Sequence, residues 1–113
     1  MIKVMAVLKR KEGMSREAFF KHWQEVHIPM VKTLPGIRKF VLNLVVEDLD
    51  ASMYPQVDQF DGCSELYFDD VASAKRAFES AQGKINGEDA LNFIGKRLFL
   101  AVRVADETVI EGR

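Results

Sequence analysis

MIKVMAVLKRKEGMSREAFFKHWQEVHIPMVKTLPG, residues 1–36, reads as one strand and one long helix. Residues 2–9 are an apolar, β-branched run and predict a strand. Glu12-Gly13-Met14 turns the chain, and Ser15 stands where a helix N-cap belongs. At about 100° per residue, Phe19, Phe20, Trp23, Val26, Met30, Val31 and Leu34 then fall on one arc. Lys21, Glu25 and Lys32 lie opposite. The helix is predicted to run to about residue 34, where Pro35-Gly36 stops it.

Outward from this unit, residues 37–46 predict a second strand, and 47–59 an acidic loop containing Pro55. Residues 60–68 predict a third strand. Asp69-Asp70 caps a second helix over 71–82, in which Ala74, Ala77, Phe78 and Ala81 share a face, and Gly83 is expected to break it. A short extra helix over 88–93 precedes a fourth strand over 97–104. The order strand, helix, strand, strand, helix, strand predicts an α+β, ferredoxin-like βαββαβ domain spanning 1–113, with a four-stranded antiparallel sheet. Such folds host many functions, so the site must argue the role.

Strand parity divides the sheet into two faces. Ile2, Val4, Ala6, Leu8, Phe40, Leu42, Leu44, Val46, Phe60, Leu66, Phe68, Leu98, Leu100, Val102 and Val104 are even-numbered and apolar, and are assigned to the helices. The odd-numbered face mixes Met5, Val7, Val41, Val45, Tyr67, Phe99 and Ala101 with Lys3, Lys39, Asp61, Glu65, Arg97 and Arg103. A solvated face is more uniformly polar. The mixture predicts a homodimer that buries the odd-numbered face, the alternative being an exposed mixed face.

Composition excludes several classes. Sixteen basic residues oppose seventeen acidic ones, for a net charge of −1, so no electrostatic footprint for nucleic acid is present. Cys63 is the sole cysteine, which rules out an intramolecular disulfide and fits a reducing, cytoplasmic setting. The apolar run at 4–8 is too short for a membrane span. Neither metal-ligand spacing nor a Gly-rich phosphate loop occurs, so neither metal nor cofactor is expected.

One residue breaks the apolar arc of the first helix: His27, between Trp23 and Val31. His22 falls at the arc's charged edge and reads as a surface residue. An imidazole turned inward needs partners for a donor and an acceptor, and burial lowers its pKa. Pro29 cannot donate to the carbonyl of Glu25 and crowds it, so the helix is expected to distort over 25–29. Gly62 and Ser64, small and on the facing side of the third strand, then predict a cavity beside His27. The alternative is a core histidine satisfied by a backbone carbonyl or water. Phe20 and Trp23, taken alone, are core.

The opening stretch, with its Lys/Arg-rich turn, Ser15, Phe19/Phe20, Trp23-x-x-x-His27-x-Pro29 and Leu34-Pro35-Gly36, resembles the EthD family of the dimeric α/β-barrel superfamily. FDGCSELYFDD, residues 60–70, resembles that family's third strand and helix cap. The resemblance covers roughly residues 1–104. It implies two ferredoxin-like protomers packed sheet to sheet as an α/β barrel, with a ligand cavity between each sheet and its helices. Relatives with assigned reactions mostly isomerise, cyclise or dehydrate small cyclic or aromatic compounds without metal or cofactor, and in several a histidine or similar group moves protons. Phe40 stands where many relatives carry tyrosine, and Leu66 where the methylisomerase branch carries cysteine.

The resulting expectation is a cofactor-free isomerase, cyclase or dehydratase acting on a small lactone, carbonyl compound or polyketide-like ring. His27 would be general base then acid. Phe20, Trp23, Phe40 and Leu66 would line the substrate site, Ser64 would hydrogen-bond the substrate, and Tyr54 would belong to a lid. The alternative is a non-catalytic protein that binds a small hydrophobic metabolite, favoured by the lack of a recognisable second titratable group beside His27. Cofactor-free oxygenation or haem breakdown is a third option in the wider superfamily.

Overall fold

Four strands, β1 (Ile2–Arg10), β2 (Lys39–Leu44), β3 (Gly62–Phe68) and β4 (Ile94–Val102), form one antiparallel sheet in the order β2-β3-β1-β4. This is the ferredoxin-like arrangement expected from the element order. The computed structural model describes residues 1–47, 49 and 59–112, so Tyr54 and Pro55 lie outside the described residues. The helices are α1 (Arg16–His22), a π-helical turn (Trp23–His27), α2 (Ile28–Val31), α3 (Val71–Glu79) and α4 (Ala81–Ala90).

The expected caps are present. Ser15 Oγ accepts from the Ala18 N–H at 3.0 Å, and Asp70 accepts from the Ser73 N–H at 2.7 Å. The second helix does not break at Gly83. It ends at Glu79, and Ser80 caps a new helix by accepting from the Gly83 N–H at 3.1 Å. Gly83 permits the close junction: a Cβ there would stand 2.4 Å from the carbonyl oxygens of Ala77 and Phe78. The element expected over 88–93 is the end of this fourth helix, α4.

The distortion ahead of Pro29 takes a specific form. Residues 23–27 wind as a π-turn, in which the Ile28 N–H reaches back five residues to the Trp23 carbonyl. Pro29 then sits in the first turn of α2, where its missing N–H costs nothing. The extra residue shifts the buried face. Val26, expected inside the arc, is exposed, and Ile28 packs against the core in its place.

Strand register corrects the two-face assignment. Val4, Ala6 and Leu8 pair with Leu66, Ser64 and Gly62 on one side, as expected. On the other side they pair with Ala101, Phe99 and Arg97. Residues directly opposite point the same way, so the odd positions of β4 face the helices. Leu98 and Leu100, expected in the core, are 48% and 49% exposed on the open face, across from Val7 and Met5. Val46 and Val104 lie beyond the strands and are exposed. Asp61 also leaves the open face. It is buried, accepts from the Arg10 N–H at 2.7 Å and from Arg16 Nε at 2.8 Å, and is bonded by the Arg10 guanidinium. Burial alone would raise its pKa, but these donors together hold its carboxyl below the usual range. Glu65 stays on the open face, bonded by Lys3 at 2.6 Å and Asn43 at 2.9 Å.

The core fills the space between sheet and helices: Val4, Ala6, Leu8, Phe19, Trp23, Val31, Leu34, Leu66, Phe68, Ala74, Ala77 and Phe93. Trp23 crosses directly over β3. A Cβ on Gly62 would meet Trp23 Cζ3 at 2.7 Å, so the space above that glycine holds the indole and is not a void. No helix among the described residues is long and apolar enough to cross a membrane.

Candidate functional site

The space predicted beside His27 lies one step along β3, over Ser64 rather than Gly62. A cavity of about 370 Å³ opens between the sheet's covered face and the helices. Val4, Ala6, Leu8, Ser64 and Leu66 form its floor, with Phe40 from β2. Trp23, His27, Val31 and Leu34 come from the first helical layer. Phe78, Gly83, Asn86, Gly87 and Ala90 come from α3 and α4, and Ile94, Arg97 and Phe99 from β4. Of the residues singled out from sequence, His27, Trp23, Phe40, Ser64 and Leu66 line this space. Phe20 does not; it packs beside Phe19, ring centroids 6.0 Å apart. Tyr54 is outside the described residues.

His27 is not alone. Its Nδ1 lies 2.9 Å from Asp89 Oδ2, and Asp89, on the last turn of α4, is only 8% exposed. His22 Nε2 approaches the same carboxylate at 3.0 and 3.1 Å, and Asn92 Nδ2 donates to it at 3.3 Å. Phe93 packs against both imidazoles, its centroid 4.7 Å from that of His22 and 5.0 Å from that of His27. The π-turn makes this convergence possible. On a regular α-helix, positions five apart point roughly 140° away from each other at about 100° per residue. One extra residue in the turn narrows that angle, and His22 swings from the charged edge to the same acceptor as His27.

Protonation follows from the acceptor. An ionised carboxylate only accepts, so each histidine must offer it an N–H. His27 therefore carries its proton on Nδ1 when neutral, which leaves the free lone pair on Nε2. Burial is the main influence on His27 and lowers its pKa below 6.5, although the Asp89 hydrogen bond works the other way. For Asp89 burial pushes upward, but the bonds from His27, Asn92 and His22 together hold it below 3.8. At neutral pH the pair is thus an uncharged imidazole backed by a carboxylate, which is the arrangement of a base. A carboxylate in the last turn of a helix also faces the unfavourable end of the helix dipole. Its donors offset that cost.

Asp89, His22, Asn92 and Phe93 were not found from the sequence. The usable signal was Asp89 beside Ala90 and four before Phe93, an acid set among core positions. Among the described residues no group of three or more His, Cys, Asp or Glu side chains is arranged to hold a metal ion.

Comparison with known proteins sets this geometry in a family. A model of the EthD domain family matches residues 11–97. Over 83 residues the chain is 28% identical to an uncharacterized 11.0 kDa protein of the thcB-thcC intergenic region in Rhodococcus erythropolis, covering 67% of this chain and 69% of that one. The crystal structure of an ethyl tert-butyl ether degradation (EthD) family protein from Bacillus halodurans superposes with a TM-score of 0.75 at 27% identity, covering 92% of this chain and 98% of that one. A dimeric protein of unknown function and ferredoxin-like fold from Bacteroides fragilis gives 0.66 at 12% identity, covering 91% and 95%.

Proposed function

Because the chain belongs to the EthD domain family, we propose that it is a cofactor-independent enzyme that moves a proton on a small lactone, carbonyl compound or polyketide-like ring. The observation that carries this reading is the 2.9 Å contact of His27 Nδ1 with Asp89, made by a ring that lines an apolar cavity. His27 Nε2 takes a proton from carbon next to a carbonyl and delivers it to another carbon in an isomerisation, to the carbonyl oxygen that the new carbon–carbon bond leaves as an alkoxide in a cyclisation, or to a departing hydroxyl released as water in a dehydration. Asp89 is a positioning residue: it fixes the tautomer and steadies the imidazolium formed in the first step. Trp23, Phe40 and Leu66 hold the substrate body, and the Ser64 hydroxyl donates to its oxygen.

The binding-only alternative drew its support from the want of a second titratable group, and Asp89 removes that support. Proton exchange distinguishes the two readings without knowledge of the product. Small cyclic ketones and lactones are incubated with the protein in D2O, and loss of the proton next to the carbonyl is followed by NMR. His27→Gln and His27→Ala are expected to slow exchange by about 10²- to 10⁴-fold. Full rates in both variants would end the proposed role of His27, and binding without exchange would favour sequestration.

Two copies are proposed to pack open face to open face, closing an α/β barrel. Met5, Val7, Leu98 and Leu100 make that face more apolar than strand parity had implied, and the similar Bacteroides fragilis protein is described as dimeric.

A further inference from the structure

The pairing register that turns Leu98 and Leu100 outward turns Arg97 inward. Arg97 pairs with Leu8 and lines the cavity, which is otherwise walled almost entirely by apolar groups. It is an exposed residue, so its place is at the mouth, and its guanidinium carbon stands 5.7 Å from the ring centroid of Phe99, another lining residue. Three other arginines have carboxylate anchors: Arg10 and Arg16 share Asp61, and Arg38 holds Asp69. Among the described residues, Arg97 has no carboxylate partner. A fixed cation, steadied by an aromatic face and held beside an apolar chamber, suits a ligand with one anionic end.

We infer that the cavity takes a small organic acid, its carboxylate held by Arg97 at the mouth and its apolar body directed inward past Phe99 and Phe78. This rests on the cavity being the ligand site of the proposed enzyme. It adds a substrate class and an orientation: the charged end lies at the rim, and the carbon to be deprotonated lies in the chamber that His27 lines. At about 370 Å³, the space is at the small end of ligand pockets, which run from about 300 to 1,000 Å³.

The test uses the full chain and two probes of one shape, 4-cyclohexylbutanoate and 4-cyclohexylbutanamide. Trp23 is the sole tryptophan and lines the cavity, so its fluorescence reports occupancy. Titrations at pH 8 keep His27 uncharged, leaving Arg97 as the cation in question. The wild type is expected to bind the acid at least roughly tenfold more tightly than the amide. Arg97→Gln is expected to abolish that preference while leaving amide binding within about twofold. A wild type that binds both probes alike, or a preference that survives Arg97→Gln, overturns the inference and leaves the cavity reading standing. If neither probe changes the signal of Trp23, the inference falls together with the cavity reading. A preference that holds while proton exchange is absent supports the anion site and refutes only the catalytic proposal.

Discussion

Replacing Asp89 with asparagine keeps its shape and removes its charge. In the native chain Asp89 accepts from His27, His22 and Asn92 while nearly buried. The side-chain amide of the Asp89→Asn variant would keep one acceptor oxygen and put an NH₂ group where a second acceptor had been, so one imidazole N–H loses its partner. Leaving a buried donor unmade costs about 1–3 kcal/mol, and the bonds that remain lose their charge assistance. A net loss of about 2–3 kcal/mol is expected, which for a chain of this size lowers Tm on the order of 10–20 °C. Urea unfolding at pH 7.5 measures it directly.

The pH dependence of the same variant carries a sign. His27 has a folded pKa below its unfolded value of 6.5, so the unfolded chain binds the extra proton first. Its contribution to stability is full above 6.5 and is lost as pH falls through the folded value. Asp89 removes part of that loss, because its hydrogen bond and charge favour protonated His27. In Asp89→Asn the folded pKa of His27 falls further, and the gap between variant and wild type widens as the solution is acidified from 6.5. The Asp89 carboxylate contributes stability above its unfolded value of 3.8 that disappears as pH falls through its lower folded value. NMR titration of the His27 ring follows the first effect. A variant within about 0.5 kcal/mol of wild type, with an unchanged His27 titration, would refute the reasoning that these groups form one unit.

Gly62→Ala places a methyl 2.7 Å from Trp23 Cζ3 and 2.8 Å from the Asn43 carbonyl oxygen; overpacking of this kind costs about 1–3 kcal/mol, and thermal melts with a shifted Trp23 emission check it. Leu100→Lys sets a charge on the apolar open face, so analytical ultracentrifugation is expected to find monomer for the variant and the proposed dimer for the wild type, with far-UV circular dichroism unchanged.

The succession of elements was legible because each depends on local chemistry. Ser15 and Asp70 cap where short polar side chains before helical runs commonly cap, and Pro29 marked its own distortion. His27 was legible as an inward residue because an arc of Phe19, Trp23, Val31 and Leu34 surrounds it. Family membership was legible in the spacing of Trp23, His27 and Pro29, which lies within one helix. What could be read from the chain alone was therefore the order of elements, their caps and the inward turn of His27, each fixed by neighbours a few residues apart. The tertiary structure decided the rest. Parity could not orient β4, since Leu98, Phe99, Leu100 and Ala101 are apolar on both faces, and only hydrogen-bond register with β1 turned Phe99 and Arg97 inward. Nor does local pattern show that a π-turn adds a residue and rotates His22 toward an acid 67 residues further along the chain. Asp89, His22 and His27 meet because two helices dock on one sheet, and such docking is a property of packed surfaces that no single stretch of chain contains.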